Sequence, residues 1–200
     1  MTTAPRYASL ADLRDYLSSS ANLGTFQDGL LTDTLCRTED AIDAYTRRNF
    51  VATAGTRYYN QYTTSVADRS LYLQEDLYHL DYLQTAVSQV VPTGAQGSVF
   101  VEPRIGPPYR ILRLKVAYVW AWNVDQDVIV AGTWGYSLTA PEAIRAATVR
   151  SAAYQFRLKD VGVGDVAGFA EGGEVQYPKG VPDDVKAILA PYRSRTGGVV

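Results

Sequence analysis

The 200-residue chain reads as an α+β protein: a helical bundle formed by its N- and C-terminal helices, carrying an inserted antiparallel β module. Three observations predict this. Apolar residues recur at helical spacing near both ends, over about 9–17, 27–48, 141–159 and 183–190. Between them, about 56–135 is built of short β-prone and alternating runs bounded by Gly and Pro. Hydrophobic content of 46% and charged content of 20% suit one globular domain, 1–200, with a sizeable insertion and a real core.

Ser9 followed by Asp12 has the form of a capping box and opens the first helix, with Leu10, Leu13 and Leu17 on one face. Ser18-Ser19-Ser20 and Gly24 end it. Over 27–48, Leu31, Leu35, Thr38, Ile42 and Tyr45 form the next stripe. Asp33, Glu39, Asp40 and Asp43 lie early or midway along this helix, and Arg47-Arg48 fall in its last turn, where cations suit the helix dipole.

Past Asn49 the texture turns to strands: RYYNQY (57–62), a short LYL (71–73), and a run between Tyr78 and Val91 whose clearest part is VSQVV (87–91). From Arg110 to Tyr118 the alternation sets Leu112, Leu114, Val116 and Tyr118 against Ile111, Arg113 and Lys115. Asp127–Ala131 is the last strand. It runs into a corner, with Gly132 and Gly135 bending the backbone around Trp134 beside Tyr136, and Trp134 filling the gap between β module and helices. Pro141 then sits at the favoured first helical position, and Ile144, Ala147, Ser151, Tyr154 and Leu158 make one stripe. The glycine-rich 161–180 reads as a flexible loop, Pro182-Asp183-Asp184 opens a short helix ended by Pro191, and 191–200 is a flexible, locally basic tail.

Chemistry is sparse. A net charge of −2 argues against general nucleic-acid binding, and no apolar run approaches membrane-spanning length. MTTAPRYASL lacks the order of a signal peptide. One cysteine, Cys36, excludes an internal disulfide and a cysteine-based metal cluster; a reducing cytoplasm fits. The single histidine, His79, stands among apolar residues in LYHLDYL without a base or nucleophile partner, and GxSxG is absent. The acidic pairs Glu75-Asp76, Asp125 with Asp127, and Asp183-Asp184 lack calcium-loop spacing. Gly162, Gly164 and Gly168 place the third glycine one residue late for a dinucleotide fingerprint and follow a helix, not a strand. No catalytic residue, cofactor or metal is expected. Tyrosine outnumbers phenylalanine 15 to 5, as suits either surfaces buried on assembly or half-exposed strands.

The segments TEDAIDAYTRRNF (38–50), TRYYNQY (56–62), LYLQEDL (71–77), PPYRILRL (107–114), VAGTWGYSLTAPEAIRAATVRSAA (130–153) and VPDDVKAILAPYR (181–193) stand in one order. Together they resemble the head–tail connector (adaptor) proteins of long-tailed double-stranded DNA bacteriophages and related gene-transfer particles. The most specific part is the strand–GTWGYS–Pro–helix junction followed by the terminal P-D-D-V…L-x-P-Y-R. The resemblance implies a non-enzymatic virion protein. It would form a homo-oligomeric ring, commonly of twelve subunits, docked beneath the portal protein and assembled in the host cytoplasm. The ring extends the channel through which double-stranded DNA passes without sequence-specific binding, and receives a stopper or other tail protein. By element, the resemblance makes Tyr192, Arg193 and Arg195 candidates for portal contact, and Arg145, Arg150, Arg157 and Lys159 candidates for subunit or channel contact. The alternatives are a stopper or tail-terminator-like neck protein and, in another class, a small carbohydrate-binding or hydrolase domain using the tyrosine-rich β insertion.

Overall fold

The computed structural model describes residues 4–18, 27–60, 66–67, 69–86, 89–91, 98–115, 120, 128–158 and 181–194. The glycine-rich segment 161–180, Lys159, Arg195, the end of the tail, and the expected strand residues Val87, Ser88, Val116, Tyr118 and Asp127 lie outside them. The fold is α+β, and the described residues form two compact units. One draws on the stretches up to Arg47 and from Ala140 onward, the other on Arg48–Thr139. The insertion thus starts at Arg48 instead of near residue 56.

The helical unit contains α1 (Leu10–Ser18), α2 (Asp28–Thr46), α3 (Glu142–Leu158) and α4 (Asp183–Leu189), the last running into a 3-10 turn at Ala190–Tyr192. Helix α3 packs on the other three. The capping box closes as its spacing requires: Ser9 N–H donates to Asp12 Oδ2 at 2.9 Å, and Asp12 N–H to Ser9 Oγ at 3.1 Å. Leu13, Leu17, Leu31 and Leu35 meet Val149, Ala152, Ala153 and Phe156 in one cluster, with Leu10 at its margin. Small residues on α3 allow the leucines of α1 and α2 to approach closely.

Four details depart from the sequence reading. Helix α2 stops at Thr46, because Arg47 takes a left-handed conformation (φ 54°) and donates its N–H to Asp43 O at 2.7 Å. Arg47 is therefore the C-cap and Arg48 lies beyond the helix. Pro141 precedes α3, its carbonyl accepting from Ile144 N–H at 2.9 Å and Arg145 N–H at 3.0 Å. The buried face of α3 also takes in Thr148, Val149, Ala152, Ala153 and Phe156, a wider band than one stripe, because three other helices cover it. Pro191 sits inside the 3-10 turn, and Ser194 N–H donates to Thr46 O at 2.8 Å, tying residues 190–194 back to α2.

The β unit is a seven-stranded antiparallel sheet in the order β1-β7-β3-β6-β5, with β2 and β4 also pairing β3. The strands are β1 (Thr53–Tyr59), β2 (Val66–Ala67), β3 (Ser70–Ala86), β4 (Gln89–Val91), β5 (Val99–Glu102), β6 (Tyr109–Leu114) and β7 (Val128–Trp134). The expected LYL strand and the one after Tyr78 are a single 17-residue strand, β3. The polar QED at 74–76 masks its continuity in the sequence. In the structure a register shift between Tyr72 and Leu77 absorbs the segment, with Gln74 and Glu75 exposed and Asp76 buried. Residues Leu71, Leu77, Leu83, Leu112, Val128, Val130 and Trp134 fill the core beneath the sheet. The alternation anticipated for β6 holds at Leu112 and Leu114, both buried, with Arg113 exposed.

Candidate functional site

Helix α3 displays its cations on two faces. Seven residues separate Arg150 from Arg157, which places them on one side, with Arg145 on another. Arg145 Nη1 lies 2.7 Å from Asp12 Oδ1, and its Nη2 lies 2.6 Å from Glu142 Oε1. Arg150 Nη2 reaches Asp184 Oδ2 at 3.0 Å. These two arginines therefore link α3 to the cap of α1 and to the start of α4. Arg157 is exposed, and Lys159 lies outside the described residues.

Arg193 sets its guanidinium 5.5 Å from the Tyr45 ring centroid, and Tyr192 beside it is half-buried. The described part of the C-terminal candidate trio thus lies against α2. Further along α2, Glu39 is almost fully buried and accepts backbone N–H groups from Arg6, at 2.9 Å, and Tyr7, at 2.7 Å. This buried carboxylate, which the sequence reading treated as one of several helix acids, anchors the chain entering α1. Burial pushes the Asp43 carboxyl up from its ordinary range, against the Tyr7 hydroxyl and Arg6, which both favour the anion.

The expected corner differs in its parts. Gly132 lies within β7, which continues to Trp134; a Cβ there would stand 2.2 Å from His79 O, so the glycine permits close strand approach and does not make a bend. Gly135 makes the turn, with φ +145°, and a Cβ on it would meet Ala52 Cα at 2.5 Å. Trp134 is 2% exposed and belongs to the sheet's own core; its Nε1–H donates to Gly55 O at 2.9 Å, and Arg57 lies 5.2 Å over its ring. Tyr136 packs at 5.6 Å from Phe50, and its N–H donates to Asn49 O at 2.8 Å.

Beside this corner stands a charge cluster that the sequence does not announce. Asp76 has a 1%-exposed carboxylate held between Arg48 Nη1 at 3.0 Å and Arg110 Nε at 2.6 Å. Its neighbour Glu75 points to the opposite face and pairs with Arg57 at 2.9 Å. Arg48 also lies 5.3 Å over the Tyr136 ring. Arg48, Arg110 and Tyr136 border an open cleft of about 500 Å³, whose walls include Glu102, Pro103, Pro108 and Ile111. The only sequence signal for Asp76 was strand alternation, which sends adjacent carboxylates to opposite faces.

Residues with catalytic potential stay dispersed. His79 is exposed on β3, 3.4 Å from Asp81. Among the described residues no three His, Cys, Asp or Glu side chains gather as metal ligands, and no helix is long and apolar enough to cross a membrane. Burial, followed by nearby Glu39, Asp33 and Asp40, pushes the Cys36 thiol up, away from the reactive thiolate.

No protein-family model matches the chain, and no curated protein matches it. Solved structures do. A chain in the neck of an empty gene transfer agent (GTA) particle, computed with C6 symmetry, is 15% identical, with TM-score 0.59, over 94% of this chain and 91% of that one. A chain from the virion of a native GTA particle is 17% identical, with TM-score 0.60 and coverage of 94% and 91%. A third, from the neck of a native GTA particle computed with C12 symmetry, is 16% identical, with TM-score 0.59 over 94% and 90%. What the chain shares with them is the α+β fold, nearly end to end.

Proposed function

We propose that the chain is a structural virion protein of a phage-type neck: a ring-forming head–tail adaptor that docks beneath the portal, prolongs the DNA channel and receives a stopper or tail protein. One observation carries this reading, the likeness in fold over 94% of the chain to chains of GTA necks and virions. The match takes in the inserted sheet as well as the helices, and the C6 and C12 symmetries of those particles accord with a ring of copies. Tyr192, Arg193 and Arg195 are proposed for portal contact. Arg145, Arg150, Arg157 and Lys159 are proposed for subunit or channel contact.

The test is assembly. Purified chain mixed with its portal protein should give rings in negative-stain microscopy and a discrete oligomer in native mass spectrometry. Absence of portal binding overturns the proposal. Within it, Arg193→Glu should weaken portal binding while leaving the melting temperature close to wild type. Unaltered binding by this variant and by a chain cut after Pro191 would remove the C-terminal assignment.

A further inference from the structure

We infer that the outward face of the β5–β6 hairpin is a protein-docking surface for a partner segment that interleaves carboxylates with apolar side chains. Phe100 and Arg113 are cross-strand partners, as are Glu102 and Ile111. Because Leu112 and Leu114 point into the core, these four side chains share the other face. There the Arg104 guanidinium lies 4.1 Å and the Lys115 ammonium 5.0 Å from the Phe100 ring centroid. Arg113 Nε donates to Ser70 Oγ at 3.0 Å, and its Nη1 stands 3.5 Å from Glu102. Arg69 joins them, donating from Nη2 to Lys115 O at 2.8 Å. Two cations thus lie over one aromatic ring, with Arg113 across the strand pair and Arg69 against the Lys115 backbone, in a chain whose formal net charge is −2.

The same surface carries apolar features. Ile105, at the hairpin tip, is 98% exposed. The cleft bordered by Pro103, Pro108, Ile111 and Tyr136 adjoins the cationic face through Glu102 and Ile111. A nucleic-acid backbone would meet the cations but offers nothing to Ile105 or to the cleft. The Phe100 ring is no open platform for base stacking either, since Arg104 and Lys115 lie against it. A protein segment with alternating acidic and apolar residues satisfies both features, and arginine beside aromatic and aliphatic anchors is the composition of energetic interface centres. Cations held over a ring also lose less rotamer freedom on binding. This inference does not rest on portal docking, so a failure to bind portal leaves the hairpin surface standing.

The experiment uses the full chain and three labelled probes: a synthetic peptide alternating Glu with Phe and Leu, an all-Glu peptide of equal charge, and a duplex DNA oligonucleotide. Fluorescence anisotropy should show the mixed peptide binding more tightly than either other probe at physiological salt. Arg104→Glu combined with Lys115→Glu should weaken it by about tenfold or more, the scale expected when charge complementarity is reversed. Ile105→Ser, at a position too exposed to affect folding, should weaken it by about threefold through lost apolar contact. Absence of binding, equal binding of the all-Glu peptide, or insensitivity of the mixed peptide to both variants overturns the inference. So does tighter binding of the duplex, lost on the same charge reversal.

Discussion

In the β unit, strands from one continuous stretch zip together antiparallel around β3, and the core beneath them is made of Leu and Val with Tyr59 and Trp134. The helical unit must join segments from both ends of the chain, and there specific polar ties supplement the apolar core. Glu39 fastens residues 6–7, Arg145 joins α3 to the cap of α1, Arg150 joins α3 to α4, and Ser194 N–H returns to Thr46. The β unit has polar ties as well, among them the buried Asp76 carboxylate between Arg48 and Arg110. Packing dominates where the chain is local. Where it is not, specific polar ties, the buried Glu39 and the partly exposed Arg145 and Arg150, hold the segments together.

The comparison breaks most readily at Trp134. Trp134→Ala removes a fully packed aromatic and its hydrogen bond to Gly55, and should cost about 3–5 kcal/mol in chemical denaturation. Retention of stability with loss of assembly would instead make Trp134 an interface residue. Asp76→Ala comes next: leaving two arginines against an emptied site should cost about 3 kcal/mol or more, read as a lower denaturation midpoint with an unchanged slope.

The smallest effect sharpens the helical side. Ser9→Ala should cost about 1 kcal/mol through loss of the cap. Hydrogen bonding by Ser9, assisted by Arg145, holds the Asp12 carboxyl below its ordinary 3.8. A carboxyl depressed in the folded state contributes stability above its unfolded pKa and loses it as pH falls. The stability difference between wild type and Asp12→Asn should therefore be present at neutral pH and fade below about 3.8 in pH-dependent melts. A difference constant down to pH 2 would show that Asp12 acts without its charge.

Much of the helical unit was legible in the residues, because local rules govern it. The capping box at Ser9–Asp12 and the stripe Leu31–Leu35–Thr38–Ile42 need only neighbours within a turn or two. Strand content in the middle was legible as well, but its partition was not. LYL and the later apolar run became one strand because a bulge and two distant arginines accommodate QED, information no local window holds. Strand β5, VFVE, escaped notice because four residues are too few to show a period. Of the candidate contact residues, Arg145 and Arg150 meet Asp12 and Asp184 from other helices, pairings that local spacing does not show, whereas the Arg145–Glu142 pair lies within α3.

Composition and periodicity, which act over short range, were enough to show the α+β class, the helix positions at both ends and the insertion between them. Tertiary contacts set Gly132 to permit strand approach and Gly135 to make the turn, buried Asp76 but not Glu75, and brought Arg104 and Lys115 to Phe100. Each of those outcomes depends on groups brought from distant strands, and pairing across a sheet leaves no mark in local spacing.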